Sequence, residues 1–224
     1  MTTAAHARTL LLAGGTSAVG AIVARAALDR GDRVVIVGRD EVRLAALERE
    51  LAGVVTAACD LADEPAVLAL AERLRNEAGP VDGVLHLVGG WRGGGGLIGQ
   101  TEADYRFLEV SFTALRNVTR AFDADLRDSD AGRLAIVSST AVARPLAGGA
   151  NYAAVKAASE AWVRAVAQGF AKAARDAGEP LRAASVIFRV KELGGLEGTL
   201  AEAFLGLWDS PADALNDTVI DLTS

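Results

Sequence analysis

Hydrophobic and polar positions along this chain follow two rhythms. Short runs of Leu, Val and Ile, apolar on successive residues, recur between longer segments in which apolar residues return every three or four positions. The first rhythm belongs to strands covered on both faces and the second to amphipathic helices, so their alternation predicts βαβ units around a parallel sheet. Strands are expected at 9–13, 33–37, 54–58, 83–88, 133–138, 183–188 and 218–222. Helices are expected at 18–29, 41–51, 64–77, 101–127 (broken into two) and 152–177. Asp63 ahead of Pro65 marks a helix start, and Gly31 and Gly178 follow helix ends. The series predicts an α/β fold: a doubly wound, Rossmann-type parallel sheet of about seven strands, three layers deep, as one domain over residues 1–224. Four glycines at Gly93–Gly96 follow a strand and predict a flexible loop at the mouth of a site.

Composition narrows the partners. With 51% hydrophobic and 23% charged residues the chain has material for a large core. Its formal charge of -6, without clustered Lys or Arg, argues against a nucleic-acid surface and for a small-molecule partner. Cys59 is the only cysteine, which rules out an internal disulfide. The two histidines, His6 and His86, are far apart and without Cys/His spacing, so no metal site is expected. The N-terminal apolar run is too short for a secretory signal, and no stretch nears the roughly 20 apolar residues of a membrane span. A cytoplasmic location follows as an expectation.

Candidate chemistry begins after the first strand, at Ala13-Gly14-Gly15-Thr16-Ser17-Ala18-Val19-Gly20. Glycine lets backbone approach a phosphate closely, and a helix N-terminus presents free N–H groups with a favourable dipole. Gly14, Thr16, Ser17, Ala18, Val19 and Gly20 are therefore candidates for holding a dinucleotide, although the same cluster also serves as a plain strand-to-helix turn. The second strand runs into Val37-Gly38-Arg39-Asp40, where the adenosine ribose of a dinucleotide would lie. An acidic side chain there accepts from a 2′-hydroxyl, whereas arginine pairs with a 2′-phosphate. Arg39 accordingly points to NADP(H) ahead of NAD(H); its alternative role is a solvated charge paired with Asp40 or Glu41. At the end of the third strand, Asp60 beside Leu61 can accept from an adenine amino group or cap the next turn.

Thirteen residues beyond Ser139, which ends the fifth strand, stands Tyr152, with Lys156 four further on. That spacing places Tyr152 and Lys156 on one helix face. The glycine turn, Asp60-Leu61, the strand leading to Val88-Gly89, the Ser139 strand and Tyr152-x-x-x-Lys156 stand in the order and approximate spacing of the short-chain dehydrogenase/reductase family, which the chain resembles over nearly its whole length. The resemblance implies a nicotinamide cofactor contacted also by Val88, Gly89, Tyr152 and Lys156, and a carbonyl or alcohol substrate. Tyr152 would be acid in reduction and base in oxidation, Ser139 would orient the carbonyl, and Lys156 would bind the nicotinamide ribose. The chemistry agrees, because hydride addition to a ketone leaves charge on oxygen that a positioned acid must neutralise. A nearby ammonium is expected to draw the Tyr152 phenol below its ordinary value of about 10.

The chain also departs from that family. Ala13 and Ala18 replace the usual threonine and middle glycine, and His86-Leu87-Val88-Gly89 replaces an asparagine-rich motif, with His86 read as a satisfied core histidine. Ser111 stands where many members carry an asparagine that holds a relay water, so it is carried forward as a catalytic candidate. Phe188-Arg189 and Leu193 stand where Pro-Gly and a nicotinamide-contacting threonine are expected. Trp91, the Gly93–Gly96 loop, Arg144, Leu146 and residues 193–207 are expected around the pocket, with 194–207 as its only cover. The alternative reading is a dinucleotide-binding protein with weak or lost catalysis, acting as sensor or partner subunit. The alanine-rich segment 152–177 predicts a homo-oligomer, tetramer ahead of dimer.

Overall fold

The computed structural model describes residues 7–222, leaving His6 outside the described residues. Among the described residues, seven strands form one parallel sheet: β1 (Thr9–Ala13), β2 (Arg33–Gly38), β3 (Val55–Ala58), β4 (Gly83–His86), β5 (Arg133–Ser139), β6 (Ala184–Val190) and β7 (Thr218–Asp221). Their order across the sheet is β3-β2-β1-β4-β5-β6-β7. The order reverses between β1 and β4, which opens a crevice at the carboxyl ends of those two strands, where a ligand binds in sheets of this kind.

The helices are α1 (Ala18–Asp29), α2 (Glu41–Glu50), α3 (Glu64–Ala78), α4 (Glu102–Ala121), α5 (Asp123–Asp128), α6 (Ala150–Ala177), α7 (Glu197–Leu205) and α8 (Ala212–Leu215). Successive strand residues feed opposite layers. Leu11 and Ala13 of β1 join a core with Leu70 and Leu74 of α3, Leu115 and Val118 of α4, and Phe170 of α6. Leu10 and Leu12 join Val23 of α1, Leu44 of α2, and Leu200 and Phe204 of α7. This two-sided demand is why the strands read as unbroken apolar runs.

Local signals set the boundaries. Asp40 accepts from the Arg43 N–H, and Asp63 from Ala66 with Pro65 in the first turn, as N-caps do. The expected break in the long fourth helical segment falls at Phe122, a fully buried residue joining α4 to α5. Two expectations change. β4 ends at His86, two residues early, and residues 197–205, expected to cover the pocket, form α7 instead. Leu200, Ala201, Phe204 and Leu205 of α7 are buried against the α1 side of the sheet. Apolar side chains at that spacing contribute most when buried in the core, so the helix is a structural layer.

Candidate active site

A cavity of about 1490 Å³ runs along the carboxyl end of the sheet, from Arg39 and Arg43 at one end to Tyr152 and Leu193 at the other. Its floor at the β1 end is the glycine turn. Gly14 has φ 80°, and a Cβ there would stand 2.8 Å from the Val88 nitrogen, so only glycine lets the β1 and β4 ends come together. A Cβ on Gly20 would lie 2.0 Å from the Gly15 carbonyl oxygen, so that glycine lets α1 seat against the turn. Ser17 caps α1 with backbone only, and the first turn of α1 carries no acidic residue. The first-turn N–H groups at that end have no side-chain cap, the condition under which a helix N-terminus can receive an anion. Gly14, Thr16, Ser17 and Val19 line the cavity; Ala18 is exposed at the first turn and Gly20 is buried behind it, both outside the lining.

Arg39 and Asp60 face each other at 3.9 Å with both side chains largely exposed. A pair of that kind contributes less than about 1 kcal/mol, so Asp60 holds Arg39 only weakly. The second Asp60 role is present too, its Oδ1 accepting from the Ala62 N–H at 3.0 Å. Arg43, four residues beyond Arg39, reaches the same end of the cavity while pairing with Asp40 at 3.2 Å. Arg43 was missed in the sequence, although its spacing of one helical turn from Arg39 is a signal. Leu61 lines the wall, its carbonyl accepting from the Asn117 amide at 3.0 Å.

At the other end, β5 delivers Ser139 and the first turns of α6 deliver Tyr152 and Lys156, all lining the cavity with Val88 and Gly89. The Ser139 hydroxyl accepts from the Ala141 N–H at 3.2 Å, which holds it at the strand end. Lys156 Nζ donates to the Val137 carbonyl at 2.8 Å and stands 5.8 Å from the Tyr152 ring centroid. Burial pushes the Lys156 amine down to about 8, while the Glu160 carboxylate one turn further on pulls it up. Burial pushes the Tyr152 phenol above its ordinary range and the neighbouring Ser139 hydroxyl pulls it down, with burial the larger. The depression by Lys156 expected from spacing is not among the influences on the phenol, whose net direction is upward.

The departures resolve locally. Ser111 is buried outside the cavity lining, its hydroxyl donating to the Leu108 carbonyl at 2.7 Å. Its own carbonyl meets His86 Nε2 at 3.1 Å, so the ring packs against the backbone of the residue carried forward as a relay candidate. His86 was expected to be fully satisfied, yet its Nδ1 has no hydrogen-bond partner among the described residues. Burial, aided by the Lys156 charge, pushes His86 down to about 3, so the ring is neutral. Phe188 is fully buried in the layer under α1 and α7, and β6 continues to Val190, paired with Ser139, where a Pro-Gly would have ended it. Only residues 191–196 then separate β6 from α7, and Lys191, Glu192 and Leu193 line the cavity mouth. Trp91, Gly94, Arg144 and Leu146 complete that mouth.

With this geometry in view, likeness to known proteins is informative. A family model for short chain dehydrogenase matches residues 8–174. The chain belongs to the short-chain dehydrogenase/reductase family. It is 31% identical over 161 residues to the L-fucose dehydrogenase of Oryctolagus cuniculus, covering 71% of this chain and 56% of that protein. It is 42% identical over 93 residues to a phenolphthiocerol synthesis polyketide synthase of Mycobacterium marinum, covering 36% of this chain and 4% of that protein. The curated relatives it matches are thus aligned over little more than half their length at most. The fold matches a metagenomic short-chain oxidoreductase solved in complex with NADP, with TM-score 0.80 and 23% identity over 97% of each chain. It also matches an alcohol dehydrogenase of Thermococcus sibiricus complexed with 5-hydroxy-NADP, with TM-score 0.81 and 18% identity over 97% of this chain and 96% of that one. No helix among the described residues is long and apolar enough to cross a membrane.

Proposed function

We propose that the chain is an NADP(H)-dependent oxidoreductase that interconverts a carbonyl and an alcohol, with Tyr152 as general acid and base. The observation that carries this reading is the meeting of Ser139, Tyr152 and Lys156, from two elements, in the same cavity that the glycine turn floors. The cavity suits a dinucleotide: glycine at Gly14 where a Cβ would strike Val88, free N–H groups at the α1 N-terminus, and two guanidiniums, Arg39 and Arg43, at the far end. The NADP complexes of two fold neighbours accord with this.

Bound there, a reduced nicotinamide supplies hydride to the substrate carbon. The protein's part is proton transfer and orientation. Ser139, held at the end of β5, donates a hydrogen bond to the substrate oxygen and aims its carbon. Tyr152, kept protonated by burial, gives its hydroxyl proton as charge develops on that oxygen, and takes it back in the reverse direction. Lys156 holds positive charge beside the phenolate so formed and offers N–H groups to ribose hydroxyls. Arg39 and Arg43 bind a 2′-phosphate, and Asp60 is then free for the adenine. Ser111, with its hydroxyl turned into its own helix, has no direct part.

The substrate is a small carbonyl compound, and the mouth formed by Trp91, Leu146 and Leu193 favours one with an apolar portion. The protein acts in the cytoplasm as a single-domain homo-oligomer, tetramer ahead of dimer. Exposed small residues at Ala154, Ala157, Ala161, Ala165 and Gly169 give α6 a flat stripe on which a second copy can pack closely. Fluorescence titration with NADPH and NADH, then NADPH oxidation against a panel of ketones and aldehydes, tests the reading. Cofactor binding without turnover of any carbonyl would favour the alternative, a binding subunit with lost catalysis.

A further inference from the structure

Glu160 lies one helical turn beyond Lys156 on α6 and is 5% exposed. Its Oε1 accepts from the Ser138 hydroxyl at 2.7 Å and from Arg189 Nε at 2.9 Å, and its Oε2 accepts from Arg189 Nη2 at 2.6 Å. Ser138 immediately precedes Ser139 on β5, and Arg189 is its register partner on β6. One carboxylate therefore ties the helix that carries Tyr152 and Lys156 to the strand that carries Ser139. The bidentate geometry makes the tie directional.

Stability alone gives no reason for a charge at this place, because a buried ion pair is often no better than apolar residues of the same volume. Its position does. Burial raises Glu160, but the hydrogen bonds from Arg189 and Ser138 and the charges of Arg189 and Arg164 more than offset it, so the group is ionised. Around Lys156 stand the Tyr152 phenol on the same helix, the neutral His86 ring on β4, and Glu160, which is the carboxylate raising the amine. Arg189 in turn faces Asp221 of β7 as well as Glu160. Arg189 also stands where the family's Pro-Gly turn was expected, and β6 continues through it, which lets the guanidinium reach α6.

We propose that Glu160, clamped by Arg189 and Ser138, is a positioning residue for Lys156. It fixes α6 on β5 and β6 in the register that sets Tyr152 beside Ser139, and it places a negative charge one turn behind the amine that must stay protonated. This rests on the catalytic reading of Tyr152 and Lys156 given above.

The test follows the lysines directly. The chain has three, Lys156, Lys172 and Lys191, so lysine-selective isotope labelling gives few resonances, and Lys156 is assigned by its loss in Lys156→Met. Lys156 is titrated in the wild type, in Glu160→Gln, and in Glu160→Gln/Arg189→Gln, a neutral pair still able to hydrogen-bond if the single variant folds poorly. Lys156 is expected to titrate at lower pH in both variants, the single more than the double. The ratio of the rate at about pH 8.5 to that at about pH 6.5 should fall about threefold in Glu160→Gln. A merely structural role would lower the rate equally at every pH. An unchanged Lys156 titration in both variants overturns the proposal, while a wild type that turns over no carbonyl overturns the catalytic reading and leaves the titration to judge Glu160 separately.

Discussion

Lys156 Nζ stands 5.8 Å from the Tyr152 ring centroid and donates instead to the Val137 carbonyl, at 2.8 Å. The amine is therefore close enough to stabilise a phenolate once one forms, yet it does not hold the phenol deprotonated beforehand. Burial raises Tyr152, which favours the protonated phenol that the proposed reduction of a carbonyl would need.

The pH dependence of reduction follows from these two groups. Lys156 is pushed down to about 8, while Tyr152 is pushed above its ordinary value, so the first loss on raising pH is the ammonium. The rate should be level below about pH 7 and fall through about pH 8 in a profile of kcat/KM against pH. Lys156→Arg, which keeps its charge, should be slower but without that descending limb.

At the opposite end of the cavity, Arg39 and Arg43 are the residues proposed to select the cofactor. Each charge-assisted contact to a 2′-phosphate contributes about 1.5–3 kcal/mol, so Arg39→Ala and Arg43→Ala should each weaken NADPH about 10- to 100-fold. NADH affinity, by the same fluorescence titration, should hardly move. Equal losses for both cofactors would take the two arginines out of the phosphate role.

His86 links pH to stability. Its folded value of about 3 lies below the ordinary histidine value of 6.5, so the unfolded chain binds the proton more readily. The contribution is fully present above about pH 6.5 and is lost as pH falls toward about 3, at up to about 1.4 kcal/mol per pH unit. Urea midpoints of the wild type should drop across that window, and those of His86→Gln should drop less steeply.

Helix α7 is assigned to the core, and Leu200 is fully buried there. Leu200→Ala should lower the unfolding free energy by about 2–5 kcal/mol in denaturant titration while leaving KM within about twofold. A large KM change at intact stability would restore residues 197–205 to a covering role.

Much of this molecule was legible in the sequence because its information is local. The apolar runs at Leu10–Leu12 and Val34–Val37 place strands, Asp40 and Asp63 announce their helices, and the spacing of Tyr152 and Lys156 brings them to one helix face. What escaped is long-range. Glu160 and Arg189 are 29 residues apart and meet only because α6 lies over β6. Ser111 looked available by alignment of position, but a helical serine bonds back to its own turn, as its contact to Leu108 shows. The α7 pattern of Leu196, Leu200 and Phe204 was periodic enough to read as a core helix; expecting a cover there displaced that reading.

The most direct test of the account is Tyr152→Phe in a protein whose reductase rate against a defined carbonyl has been established. Removing the hydroxyl while keeping the ring should cut kcat by about 10²- to 10⁴-fold, the usual worth of a positioned general acid. A rate equal to that of the wild type would mean that the proton comes from elsewhere and that the role assigned to Tyr152 is wrong.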